Sequence, residues 1–268
     1  MAVAATALGL YLSLLSPVPV GKDTSEFVLV LATLGVAHPG GYALYTLAGH
    51  LFVSVLHTAG ASWTWAANAF SALGGAVALG LLHALAARLL APRLGGRTAG
   101  ALALLPVGAF AFDPTWTAET TVAEVNSWHV AWVAGACLAT LVTARVIATP
   151  NSTDTQVGRV SMLWGLVMGA GLAHHLTSVL FAGPLTLALG LAAHLARRRF
   201  TQLAAALVGG MIPPLLALGY FAWRTMHPAA VQWPAFEPSL AGVATHASGS
   251  AYHAFLGRFA PSPSQQFL

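Results

Sequence analysis

Charge is the scarcest property of this chain: 7% of its 268 residues are Asp, Glu, Lys or Arg, while 57% are hydrophobic. A soluble domain carries roughly 25% charged residues, so this chain cannot cover a water-facing surface. Mean hydropathy is +0.75, and apolar runs long enough to span a bilayer recur along the whole length. The chain reads as an all-α, polytopic helical membrane protein. Cysteine is nearly missing as well. Cys137 stands alone inside an apolar run, which excludes a disulfide framework. There is no P-loop, no dinucleotide fingerprint, no paired CxxC and no GxSxG, so those chemistries have no motif to rest on. The net charge of +4 does not argue for nucleic acid, because loop placement explains most of it. Residues 1–20 lack a basic n-region and a small-x-small site before Lys22, so they read as a first span and not as a cleaved leader.

What is present is a series of apolar segments broken by turn residues and charges. The breaks fall at Pro17, "APRLGGR", "FDPTW", "TPNSTD", "AHH" and "ARRRF", and they place spans at about 2–17, 63–90, 98–112, 127–147, 160–174, 176–195 and 201–223. The segment 41–57, "GYALYTLAGHLFVSVLH", is long enough to cross or to lie in the interface. The positive-inside rule separates the two cases. If 41–57 does not cross, Arg88, Arg93, Arg97, Arg145, Arg159, Arg197, Arg198 and Arg199 share the side of the N-terminus. Asp23, Glu26, Asp113, Glu119, Glu124 and Glu237 then share the other. If it did cross, "ARRRF" would face away from the N-terminus. The first arrangement separates the signs better, and it gives about seven spans with a large first outer loop over 18–62. It divides the chain into a transmembrane domain at 1–224 and an outer tail at 225–268, and it leaves the sequon at Asn151 on the cytoplasmic side, unused.

The same arrangement brings Asp23, His38, Glu124 and the His174–His175 pair to one face, as an active site opening from span ends requires. In "KDTSEF", Asp23 and Glu26 have the spacing of a helix N-cap and its capping-box partner. They are equally suited to supply a carboxylate that takes a proton from an acceptor hydroxyl. His38 sits in the tight turn "HPGG", where two glycines permit unusual backbone angles. After Pro114, a short helix would align Thr117, Thr120, Thr121 and Glu124 in one polar stripe and turn Glu119 elsewhere. Trp116 and Trp128 beside it suit interfacial anchors. Adjacent residues on a helix point about 100° apart, so only one of His174 and His175 is expected to face a given site, and no metal is assigned.

In order, the motifs "KDTSEF", "LGVAHPGGYALYTLAGHLF", "WAANAFSALGGA", "PTWTAETTVAEVNSW" and "GLAHHLTSVLFAGP" resemble the transmembrane protein 260 family. That family is O-mannosyltransferase-like, made of membrane glycosyltransferases of the GT-C fold class. The resemblance covers residues 10 to about 255, including "THASGSAYH" in the tail. It keeps the Asp, the Glu and the His-Pro step, but Gly40 and Ala43 stand where the family has proline, Asn126 where it has tyrosine, and Ala66 where it has arginine. Family members continue past the point where this chain stops. The chain is therefore expected to be an N-terminal part or short form, incomplete as a transferase by itself.

The resemblance implies transfer of a hexose, mannose above all, from dolichyl or polyprenyl phosphate to a protein Ser/Thr hydroxyl on the outer or lumenal face. The lipid-linked sugar is a co-substrate, and no other cofactor is implied. Membrane lipid and an acceptor protein are the expected partners. The membrane would be endoplasmic reticulum in a eukaryote and plasma membrane in a bacterium. Asp23 would be the base, with Glu26 and Glu124 orienting the acceptor or Asp23. Lys22, His38, Trp116, His174, His175 and Arg224 would bind substrate. The competing reading is a non-catalytic membrane protein: a truncated lipid-binding relative, a transporter or an assembly subunit. A transporter should show polar residues at mid-bilayer in broken spans, whereas the acids here collect at one face.

Overall fold

In a bilayer every backbone N–H and C=O must find its partner within the chain, and the helix does this segment by segment. The structure, a computed structural model, describes residues 1–21, 23–198, 203–227, 237–250 and 252. Its helices are α1 (Ala2–Ser13), α2 (Thr24–Thr33), α3 (Ala43–Thr58), α4 (Trp63–Leu94), α5 (Gly96–Ala111), α6 (Pro114–Thr121), α7 (Asn126–Ala148), α8 (Asp154–His174), α9 (Ser178–Leu195), α10 (Ala204–Met226) and α11 (Leu240–Ala247). Four of them, α4, α7, α9 and α10, are long and apolar enough to cross a membrane. The expected span at 2–17 is shorter than anticipated. Pro17 disfavours helix in the residue before it, and α1 stops at Ser13 after 12 residues. At 1.5 Å per residue it reaches about 18 Å, short of a hydrocarbon core of about 30 Å.

Local sequence sets several boundaries. Ser62 accepts a hydrogen bond from the Trp65 N–H and starts α4, and Asp113 does the same for Trp116 ahead of α6. Thr153 and Gln156 form a reciprocal capping box on α8. Helices α8 and α10 approach closely because Gly165 faces the Ala206 carbonyl, Gly169 faces the Gly210 carbonyl and Gly209 faces the Met162 carbonyl. Small residues at such crossings let backbones meet where lipid offers no hydrophobic drive.

The 32-residue α4 is the axis of the packing, about 48 Å long. At its start, Asn68 donates to the Ser16 carbonyl (2.8 Å) and the Ser71 hydroxyl bonds both backbone groups of Glu124 (2.9 and 3.0 Å). At its far end Arg145 reaches the Arg88 carbonyl (3.2 Å). Arg198 joins the α7–α8 turn by donating to the carbonyls of Ile147, Thr149 and Ser152. Basic residues therefore gather where α4 ends, and Glu124 sits where it begins.

Candidate functional site

Helix α2 starts at the carboxylates. Asp23 holds the N-cap position but makes no side-chain capping bond, so the capping box expected from "KDTSEF" does not form. Glu26 turns instead to the loop twelve residues on. Its Oε1 accepts from the His38 backbone N–H at 2.7 Å, and both carboxylate oxygens lie 3.2 Å from His38 Nδ1. The ring is placed by the turn that follows it. Gly40, Gly41 and Tyr42 all have positive φ, at 104°, 66° and 45°, which brings the Tyr42 hydroxyl to 3.1 Å from His38 Nε2. A Cβ on Gly41 would collide with the Phe221 ring.

Burial opposes charge on His38, but the Glu26 hydrogen bond and carboxylate outweigh it, with Asp23 and Glu124 adding their fields. The net pKa is raised, so His38 leans towards imidazolium beside Glu26. Burial first, and then the surrounding negative charge, holds the Tyr42 phenol well above its ordinary range, so it remains a donor. Asp23, Glu26 and His38 present ligand atoms all within 4.8 Å of one another. A cation could be spanned at that spacing, but His38 Nδ1 is committed to Glu26 and the trio reads as an ion pair with a neighbouring exposed carboxylate.

Glu124 is 4% exposed and reaches this region by another route. Helix α6 ends at Thr121, and Val122 is extended (φ −127°, ψ 160°). The expected stripe of Thr117, Thr120, Thr121 and Glu124 on one helix is therefore broken: the Thr120 and Thr121 hydroxyls bond back to the Thr117 carbonyl. Glu119, expected to point elsewhere, is nearly as buried as Glu124 and accepts from Asn126 Nδ2 at 2.7 Å.

The paired histidines also depart from the helical expectation. His174 is the last residue of α8 and His175 is its extended C-cap (φ −153°, ψ 134°), so the 100° rule does not apply between them. Both rings approach His129 on α7, with centroids at 6.1 and 4.5 Å. The His175 ring lies 5.4 Å from Tyr42. His129 was not singled out in the sequence, where it stands among apolar neighbours. Burial, and then the charge of His38, pushes the His175 pKa down. A contiguous polar track thus runs from Glu26 through His38, Tyr42 and His175 to His129 and His174.

The remaining residues assigned to substrate lie differently. Trp116 is in the core between α1 and α6, donating to the Tyr11 hydroxyl (2.9 Å) and stacking on Phe110 (4.6 Å). Arg224 is 7% exposed and donates to the carbonyls of Thr33, Leu34 and His227, which makes it a clamp on the end of α2. Lys22 lies outside the described residues. His246 on α11 is a positioning residue that the sequence did not reveal. Its Nε2–H donates to the Ala37 carbonyl (2.9 Å), and its own carbonyl accepts from the Gly40 N–H (3.0 Å), so it holds the His38 turn from both sides.

No solved structure matches the chain. A family model described as the Protein O-mannosyl-transferase TMEM260 N-terminal domain matches residues 23–198. That stretch opens on Asp23 itself and runs through Glu26, His38, Glu124, His129 and the His174–His175 pair, well over half of the sequence, so this chain belongs to the protein O-mannosyltransferase TMEM260 N-terminal family.

Proposed function

We propose that this chain carries the reaction centre of a GT-C-type membrane O-mannosyltransferase. It would transfer a hexose, mannose in the first instance, from a dolichyl or polyprenyl phosphate to a protein Ser/Thr hydroxyl. The observation that carries this reading is the division of labour at the start of α2. Glu26 is committed to His38, whereas Asp23, exposed at the same helix end, is spared the capping bond its position would ordinarily make. The acceptor hydroxyl oxygen attacks the anomeric carbon and its proton passes to the Asp23 carboxylate. The bond from that carbon to the phosphate oxygen breaks, and the lipid phosphate leaves with the electron pair, inverting the anomeric centre. Glu26 and His38 hold the loop that faces the acceptor, and Glu124 adds a fixed negative field behind them.

Asp23→Asn tests this directly. Asn caps a helix about as well as Asp, and no capping bond exists here to lose. Stability should be unchanged. The rate of hexose transfer to a Ser/Thr acceptor, measured in a full-length context that carries this N-terminal part, should fall roughly 10²- to 10⁴-fold, the usual worth of a positioned acid–base group. Near-normal transfer by this variant would remove Asp23 as the base.

A further inference from the structure

The basic end of the bundle holds a cavity that takes no part in the site described above. It lies at the turn between α7 and α8, with a volume of about 340 Å³, inside the range of about 300–1,000 Å³ usual for ligand pockets. Val146 and Val160 make its apolar wall; Thr149, Ser152, Gln156 and Arg159 make the polar one. The acceptors around that polar wall are already taken. Arg198 donates to the carbonyls of Thr149 (2.8 Å) and Ser152 (3.2 Å), and to that of Ile147 behind them (3.1 Å). Gln156 Oε1 accepts from the Thr153 N–H at 2.9 Å, which leaves its amide NH₂ as the group free to donate. The Thr149 hydroxyl is spent on the Arg145 carbonyl (2.9 Å). The Ser152 hydroxyl and the exposed Arg159 guanidinium make no hydrogen bond or ion pair to a described residue.

A cavity left with donors and one fixed positive charge selects an anion. The residue types agree. Lys22 is the one lysine of the chain, so every Lys or Arg position at this end is an arginine, whose planar fork matches a phosphate better than an ammonium does. Asp154 is the one acid that the sequence places here, and helical spacing sets it on the side of α8 away from Gln156, Arg159 and Val160. The lining therefore offers no partner to a choline or ethanolamine cation. Towards the middle of the bundle the same helix faces turn apolar. Val142 stands one turn before Val146 on α7 and Leu163 one turn after Val160 on α8, and both are exposed. We propose that this cavity holds the headgroup of an anionic glycerophospholipid from the leaflet at the basic end. Its phosphate sits on Arg159, Gln156 and Ser152, and an acyl chain runs along Val142 and Leu163. The adjoining apolar stripe is what favours a lipid over a free phosphate. None of these residues lies on the track from Glu26 to His174, so the inference stands apart from the transferase reading.

The test is photocapture of a diazirine-acyl phosphatidylglycerol by the full chain in phosphatidylcholine nanodiscs, with the labelled peptides identified by mass spectrometry. Label should fall on α7 and α8 around Val142 and Leu163. Arg159→Gln should lower capture there about tenfold or more, the worth of a hydrogen bond between charged groups. Arg93→Gln removes the same charge from the same end but outside the cavity lining, and it should leave capture nearly unchanged. Both arginines are exposed, so the melting temperature should hold in each variant. A diazirine-acyl phosphatidylcholine should label this segment weakly, and excess glycerol 3-phosphate should compete poorly. Equal loss in the two variants would mean a diffuse attraction to anionic lipid and would overturn the site. Equal labelling by the phosphatidylcholine probe, or label confined to other helices, would overturn it too. Full competition by glycerol 3-phosphate would make the occupant a soluble phosphate and overturn the lipid.

Discussion

A carboxylate in the first turn of a helix ordinarily serves the helix, and Glu26 does not. Its bond to the His38 N–H is charge-assisted and ties α2 to the turn before α3, so one side chain fixes the loop and tunes a titrating group at once. The consequence for pH follows from the sign of the shift. The folded pKa of His38 lies above its ordinary value of about 6.5, because the negative charge around it outweighs its burial. The folded state therefore binds the proton more tightly than the unfolded chain does. This contribution is complete below about pH 6.5 and is lost as pH rises through the higher folded value. Thermal denaturation across that window should show the wild type losing stability with rising pH, and His38→Gln losing less. Parallel pH profiles for the two proteins would place the titration elsewhere. In the sequence, "HPGG" announced a turn and a histidine, but nothing local indicated that the partner would be Glu26, because the pairing depends on how α2 and the turn close on each other.

At the scale of the helix, Arg224 shows what single-sequence reading misses. A lone arginine at a span end invites a phosphate, and it was assigned one. It donates to the carbonyls of Thr33 and Leu34 at the end of α2, nearly two hundred residues away in the chain. Leu34 there is in the left-handed region at φ 52°, a conformation that costs a non-glycine residue roughly 1–2 kcal/mol. The guanidinium and the Tyr220 hydroxyl both bond carbonyls of this turn, at Leu34 and Gly35, and so over-determine it. Arg224→Met keeps the stem and removes the donors. It should destabilise the protein by about 1.5–3 kcal/mol, the range for hydrogen bonds to a charged group, seen as a lower melting temperature in detergent. An unchanged melting temperature together with reduced polyisoprenyl phosphate capture would return Arg224 to the phosphate. Trp116 is more deeply packed than its sequence neighbours suggest, for a related reason. An aromatic beside a turn looks like an interfacial anchor until α1 and its Tyr11 fold over it. The helices themselves were legible because apolar runs and their Pro/Gly breaks are local signals. The stripe through Glu124 was not, since Val122 leaves the helix to let Ser71 take the Glu124 backbone.

Across the whole molecule, the two signs of charge lie towards opposite ends of α4, and a bilayer explains why they should. Arg88, Arg145 and Arg198 come together where α4 finishes, while Glu124, and with it the Asp23–Glu26–His38 group, lies towards its start. Their contacts with α4, at Ser71 and at Arg88, are about 26 Å apart along the helix, comparable to a hydrocarbon core of about 30 Å, as two groups at opposite membrane faces would be. The separation of the charges along α4 was legible from loop composition, because the positive-inside bias is written there and not in packing. The number of crossings was not, since α1 is too short to cross alone and α5 runs only 16 residues. Single-cysteine labelling resolves the sidedness. Cys137 is the one native cysteine, so Cys137→Ala gives a clean background for Ser152→Cys at the basic end and Ser248→Cys beside α11. Position 152 supplies one of the carbonyls that Arg198 binds, and position 248 follows His246, which holds the His38 turn. A membrane-impermeant maleimide added to intact cells or sealed vesicles should label one of these positions and reach the other only after permeabilisation. With the basic end cytoplasmic, position 248 is the one facing the outer or lumenal compartment. Both positions labelled from the same side would mean that the acidic and basic ends share a face. The polar track from Glu26 to His174 would then open towards the cytoplasm, and an outer-face transferase could not be built on it.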